Sequence, residues 1–116
     1  MRLEEMTCEV CSGNTLSIPD GELNGYLKQV EGWEIWPGQL RDYLRLSRVY
    51  KFPDFKKGLE FVNRIGQVAE EQGHHPEITL KYGQVAVEIH THAIRGYNRL
   101  SKNDFILAAK INELGS

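Results

Sequence analysis

No stretch of this sequence holds the roughly 20 consecutive apolar residues that cross a bilayer, and its start lacks the basic-then-apolar pattern of a secretory leader. The chain therefore reads as cytoplasmic, with no membrane partner. It also lacks an excess of charge: 14 Lys and Arg against 16 Asp and Glu leave a net charge of −2. That balance removes the electrostatic case for nucleic acid as a partner. Cysteine is scarce. Cys8 and Cys11 form one Cys-x-x-Cys pair, while a structural zinc needs four ligands and no second pair exists. A redox role wants a helix after the pair, but "SGNTLSIP" reads as a loop, so the two are expected to be reduced and loosely ordered. The sequence has no glycine-rich phosphate cradle and no serine-nucleophile motif, and neither cysteine lies near a histidine. Covalent catalysis is thereby unsupported.

What remains is a chain of 116 residues, 41% hydrophobic, without repeats. That suits one domain able to bury a single core. Residues 1–17 are polar and read as an irregular lead-in, with the domain spanning 18–116. "PDGELNGYLKQV" predicts a short helix with Leu23, Tyr26, Leu27 and Val30 on one stripe. Trp33–Trp36 and Leu40–Phe52 predict two strands joined at Pro37-Gly38. On the second, Leu40, Leu44, Leu46, Tyr50 and Phe52 share the core face, while Arg41, Arg45, Ser47 and Lys51 point toward water. A long helix opened by Pro53 is expected to bury Phe55, Leu59, Val62, Ile65 and Ala69 and to stop at Gly73. Glu77–Lys81 and Gln84–His92 predict a hairpin about Tyr82-Gly83, with Val85, Val87 and Ile89 inward and Ala86, Glu88, His90 and His92 outward. A last helix opens at "SKND", where Ser101 and Asp104 have capping-box spacing, and buries Phe105, Ile106 and Ala109. The order α-β-β-α-β-β-α predicts an α+β fold, a four-stranded mainly antiparallel sheet with helices on one face. The other face is wet or used for assembly.

All four histidines fall between Glu70 and His92. His74-His75-Pro76 links the long helix to the third strand, and Pro76 biases His75 toward an extended backbone. Adjacent side chains in such a link diverge, so the two imidazoles would do different work. Glu70 lies one helical turn earlier, and His92 ends the neighbouring strand. Three readings fit these residue types. Imidazoles titrating near pH 6.5 suit paired proton transfer, as in the loss or addition of water. Glu88, His90 and His92 alternate along one strand face and could hold a metal. A solvated surface cluster is the third.

The spacing goes further. Glu70-x-x-x-His74-His75-Pro76, then Tyr82, His92 and Asp104, closely resembles the signature of the pterin-4a-carbinolamine dehydratases. Gly32-Trp33, the "FPDFKKGLEFVNRIGQVAEEQGHHP" segment, the "LSKND" helix start and the order of elements are similar to that family over essentially the whole chain. The resemblance implies a hydro-lyase that dehydrates 4a-hydroxytetrahydropterin to quinonoid dihydropterin with no metal or organic cofactor. His74 and His92 would be the acid/base pair and His75 would mainly orient the pterin. Glu70, Pro76, Asp104 and Trp33 would support or line the site. The resemblance also implies a homodimer or homotetramer. It leaves a second reading open, a non-catalytic pterin- or partner-binding member, in some bacteria tied to molybdopterin metabolism. One departure is the loop between His92 and Leu100, which is longer than in animal members. It carries Arg95, Tyr97 and Arg99; Arg95 is expected beside the pocket, where it could meet an anionic substituent.

Overall fold

The computed structural model describes residues 3–6, 17–37, 44–91 and 100–114. Cys8, Cys11, Leu40, Arg41, His92 and the loop carrying Arg95 lie outside the described residues. Within them, four strands form one sheet: β1 (Glu34–Pro37), β2 (Leu44–Lys51), β3 (Glu77–Lys81) and β4 (Gln84–Ile89). Their spatial order is β1-β2-β4-β3, every pair antiparallel. Three helices, α1 (Leu23–Leu27), α2 (Phe55–Gln72) and α3 (Lys102–Asn112), complete the expected α-β-β-α-β-β-α order. No helix among the described residues is long and apolar enough to cross a membrane.

The register explains the layers. Leu46 pairs with Ile89 and Tyr50 with Val85, while Val87 pairs with Ile78, so these side chains share one face. Leu46, Val85, Val87 and Ile89 are fully buried there. The opposite face was expected to be wet or used for assembly, and at Arg45 it is buried within the chain itself. Glu77 and Glu88 are direct cross-strand partners, a like-charge pair that is unfavourable alone. The Arg45 guanidinium reaches both, contacting Glu88 closely and lying 3.4 Å from Glu77, and it is 5% exposed. A buried cation with two carboxylates is the arrangement that makes such burial tolerable.

The burial of α2 also departs from the sequence expectation. Its inward residues are Gly58, Phe61, Ile65 and Ala69, while Phe55 and Leu59 remain 46% and 42% exposed. The cause is Gly58. A Cβ there would sit 3.0 Å from Leu80 and 3.5 Å from Val85, so the bare backbone lets the helix approach the hairpin along this line. The helix opens two residues later than Pro53 suggests, at Phe55, behind an N-cap Asp54 whose side chain accepts from the Lys57 N–H at 2.8 Å. It closes at Gly73, whose φ of 64° is the left-handed turn that glycine enters at low cost.

α3 is buried nearly all round, from Asn103 to Ala109 and again at Ile111. Leu3, in the stretch read as a lead-in, is also in the core at 2% exposure, within a 3₁₀ turn whose Glu4 carbonyl accepts from Lys110 Nζ at 3.0 Å. The Ile18 N–H donates to the Leu100 carbonyl at 2.8 Å and ties the segment before α1 to the entry of α3.

The far end of α3 is pinned by one side chain. Asn112 Oδ1 accepts from Trp33 Nε1 (2.9 Å), Arg48 (2.7 Å) and the Tyr50 hydroxyl (2.7 Å), while its Nδ2 donates to the Glu31 carbonyl. Gly32, at φ 86°, passes so close that a Cβ would lie 2.5 Å from the Arg48 guanidinium. Burial pushes the Tyr50 hydroxyl up to about 12, against the opposing pull of the Arg48 charge. Tyrosine in the unfolded chain ionises near pH 10. Between about 10 and about 12 the unfolded state has released a proton that the native state still holds, so stability falls as pH rises. Two pH units amount to roughly 3 kcal/mol. The urea midpoint should drop across this window, and by less in Tyr50→Phe.

Candidate functional site

The sheet and helices deliver three chain segments to one end of the molecule. The first is the short link after α2. Gly73 turns the chain, the His74 N–H still donates to the Ala69 carbonyl at 3.2 Å, and Pro76 leads into β3. The second follows β4 at His90 and Thr91. The third is the start of α3, where Ser101 is the N-cap and Asp104 the third helical residue.

Asp104 is at the centre of this end. Its carboxylate is completely buried, and each oxygen has defined partners. Oδ2 accepts from the Ser101 backbone N–H at 2.8 Å and from the Thr91 hydroxyl at 2.9 Å. Oδ1 lies 2.6 Å from His74 Nε2. These bonds offset the cost of removing a carboxylate from water. Its place in the first turn of an eleven-residue helix adds the favourable end of the helix dipole. His74 itself is 7% exposed. The arrangement is a buried imidazole with one nitrogen committed to a carboxylate, which fixes the ring's orientation and tautomer.

His75 behaves differently, as expected for adjacent residues in an extended link. Its side chain is 61% exposed and makes a close ion pair with Glu70, itself 77% exposed. Glu70 thus serves His75 rather than His74. So exposed a pair adds at most about 1 kcal/mol of stability. Pro76 is half-buried between the site and β3.

Other sequence-derived candidates fall elsewhere. Trp33 is 4% exposed, and its indole is committed to Asn112. Asn112 and Asp104 are eight residues apart on α3, about 12 Å of helix; the structure does not bring Trp33 to the histidines. Tyr82 is 75% exposed at the tip of the β3–β4 hairpin, at the opposite end of those strands from His74. His90, read as a surface residue, is 7% exposed. Its alternation partner Glu88 is occupied by Arg45, and no group of three potential metal ligands occurs among the described residues. A cleft of about 360 Å³ opens at the other end of α3, beside Gln29, Glu31, Asn112 and Glu113.

Thr91 was not singled out by the sequence reading, although a signal existed. Alternation along β4 puts residue 91 on the same side as Val87 and Ile89, and a polar residue facing a core must find hydrogen-bond partners.

This geometry can be set beside known proteins. The sequence profile of the pterin 4 alpha carbinolamine dehydratases matches residues 17–114. The chain belongs to this family. A pterin carbinolamine dehydratase of Syntrophotalea carbinolica, so named provisionally, is 42% identical over 97% of this chain and 96% of its own length. Its counterpart in Nitrosococcus oceani, provisionally named in the same way, is 43% identical over 97% and 95%. A crystal structure from Brucella melitensis, described as a transcriptional coactivator/pterin dehydratase, superposes with a TM-score of 0.73 at 28% identity. It covers 86% of this chain and 99% of that one. The resemblance carried by the His-His-Pro signature is thereby borne out over nearly the whole length. Family membership supports a pterin dehydratase, a lyase acting on a small molecule.

Proposed function

We propose that this protein is a 4a-hydroxytetrahydropterin dehydratase in which histidines exchange the protons. The observation that carries the reading is the buried His74–Asp104 pair, in a chain that matches the family over residues 17–114. In the elimination, one group protonates the departing 4a-hydroxyl, the carbon–oxygen bond breaks with its electron pair going to water, and a second group takes the ring N–H proton to leave the quinonoid product. Each proton transfer by a positioned imidazole is worth about 10²–10⁴-fold. His74 and His92 fill these two roles. With Nε2–H directed at Asp104, His74 exchanges protons with substrate through Nδ1. His75, held by Glu70 at the surface, orients the pterin, and Pro76 stiffens the link that carries both imidazoles. Arg95 supplies a cation for an anionic pterin substituent. The reaction needs no metal or organic cofactor, and we place it in the cytoplasm. The test is stopped-flow dehydration of enzymatically generated 4a-carbinolamine. Acceleration by the purified protein that survives a chelator supports the reading, and no acceleration leaves a pterin- or partner-binding role.

Assembly belongs to the same proposal. Phe55 and Leu59 stand one turn apart on the open side of α2, and Trp36 and Val49 are exposed on the outer sheet face. These apolar side chains suit contacts between copies in a homodimer or homotetramer. Leu59→Glu should lower the mass measured by sedimentation equilibrium if α2 forms such a contact. An unchanged mass would direct attention to the sheet.

A further inference from the structure

The geometry points to Thr91 as a positioning residue that sets the tautomer of His74 through Asp104, an inference that rests on the proposed proton-transfer role of His74. A carboxylate accepts and cannot donate, so the proton between Thr91 Oγ1 and Asp104 Oδ2, 2.9 Å apart, belongs to Thr91. The Thr91 hydroxyl has only that one proton. Its contact with Ser101 Oγ at 2.8 Å must then be donated by Ser101. The Asp104 N–H donates to the Ser101 carbonyl at 3.1 Å, and the Ser101 N–H donates to Oδ2 at 2.8 Å.

The consequence falls on Asp104 Oδ1. Two donors occupy Oδ2 from fixed positions, one on the helix N-cap and one on the strand end, so the carboxylate plane cannot rotate without breaking both. Oδ1 is thereby aimed at His74 Nε2 at 2.6 Å, and the imidazole proton is held on Nε2. Thr91 and Ser101 are themselves 0% and 3% exposed, so water does not compete for these groups. The capping box alone would tether Asp104 to α3. Thr91 adds the link to the sheet, and it is the residue immediately before His92 in the chain.

The experiment compares Thr91→Val, which keeps the shape and removes the hydroxyl, with Thr91→Ser, which keeps the hydroxyl. Two readouts are taken on each purified protein. One is kcat and KM for carbinolamine dehydration. The other is the tautomer of His74 from long-range ¹H–¹⁵N correlation spectra, which requires no activity. Thr91→Val should lower kcat about tenfold with KM unchanged, a loss in the chemical step of the size one displaced hydrogen bond gives. It should also convert the Nε2–H spectrum of His74 to a mixture of tautomers. Thr91→Ser should restore both. A wild-type tautomer in Thr91→Val, or a Thr91→Ser variant as impaired as the valine, overturns the assignment. Should the valine variant not fold, Ser101→Ala, which removes the donor to Thr91, is read in the same two ways. A wild-type protein inactive on carbinolamine but showing the tautomer change would refute the dehydratase reading alone.

Discussion

Asp104→Asn is expected to lower the dehydration rate by about two orders of magnitude while leaving a folded protein. The amide is nearly the same shape as the carboxylate. Its oxygen can still accept from the Ser101 N–H and the Thr91 hydroxyl, so the cap on α3 survives. Its NH₂ then faces His74 Nε2 where a carboxylate oxygen stood. Two donors cannot face each other, so the imidazole must surrender the Nε2 proton and carry it on Nδ1, the nitrogen assigned to substrate. Both the tautomer and the negative charge that supports an imidazolium are lost together. The wrong-tautomer effect of the same substitution in a serine-protease triad is about 10⁴-fold, an upper guide here. Steady-state kcat measured beside a urea unfolding curve separates the outcomes. A large loss of rate with a small loss of stability, about 1 kcal/mol, is the expected result. Full activity with a collapsed stability would reduce Asp104 to a helix cap.

Asn112→Leu should destabilise the fold by about 2–4 kcal/mol without altering the rate per folded molecule. One carbonyl oxygen serves Trp33, Tyr50 and Arg48. Leucine fills the space but accepts nothing. Trp33 and Tyr50 are 4% and 3% exposed, so an N–H and an O–H would each lose a partner out of reach of bulk water, at about 1–3 kcal/mol apiece. Arg48 also donates to the Glu31 carbonyl at 2.6 Å and lies over the Tyr50 ring at 4.2 Å, so it loses less. The change is at the end of α3 remote from Asp104. A fall in kcat equal to that of Asp104→Asn would mean that the two ends of the helix are coupled in a way the contacts do not show.

The order of elements and the sheet were legible because their signals are periodic. Val85, Val87 and Ile89 alternate over residues that all face the core, and Gly73 marks the end of α2 wherever the helix begins. The orientation of α2 was not legible. Phe55 and Leu59 are more apolar than Gly58, and hydrophobicity alone turns them inward; the close approach that a missing Cβ permits is a property of the partner hairpin. Arg45 was assigned to water by alternation, correctly as to side, yet its burial depends on Glu77 and Glu88, brought together by strands 32 and 43 residues away. At the site, the spacing of His74, His75 and Asp104 was readable as a signature. Which histidine Asp104 serves, and that Glu70 pairs with His75 instead, depended on how the link after Gly73 turns. Trp33 shows the opposite limit: its place in a familiar "GW" says nothing about which end of α3 it meets.

Under the proposed function, His74, oriented by Asp104, moves a proton in the dehydration. The most direct measurement is the single-turnover rate of carbinolamine dehydration by His74→Ala beside the wild-type protein, with circular dichroism confirming that both are folded. A loss of about 10²-fold or more at saturating substrate is the predicted result. A folded His74→Ala variant that dehydrates the carbinolamine as fast as the wild-type protein would contradict it.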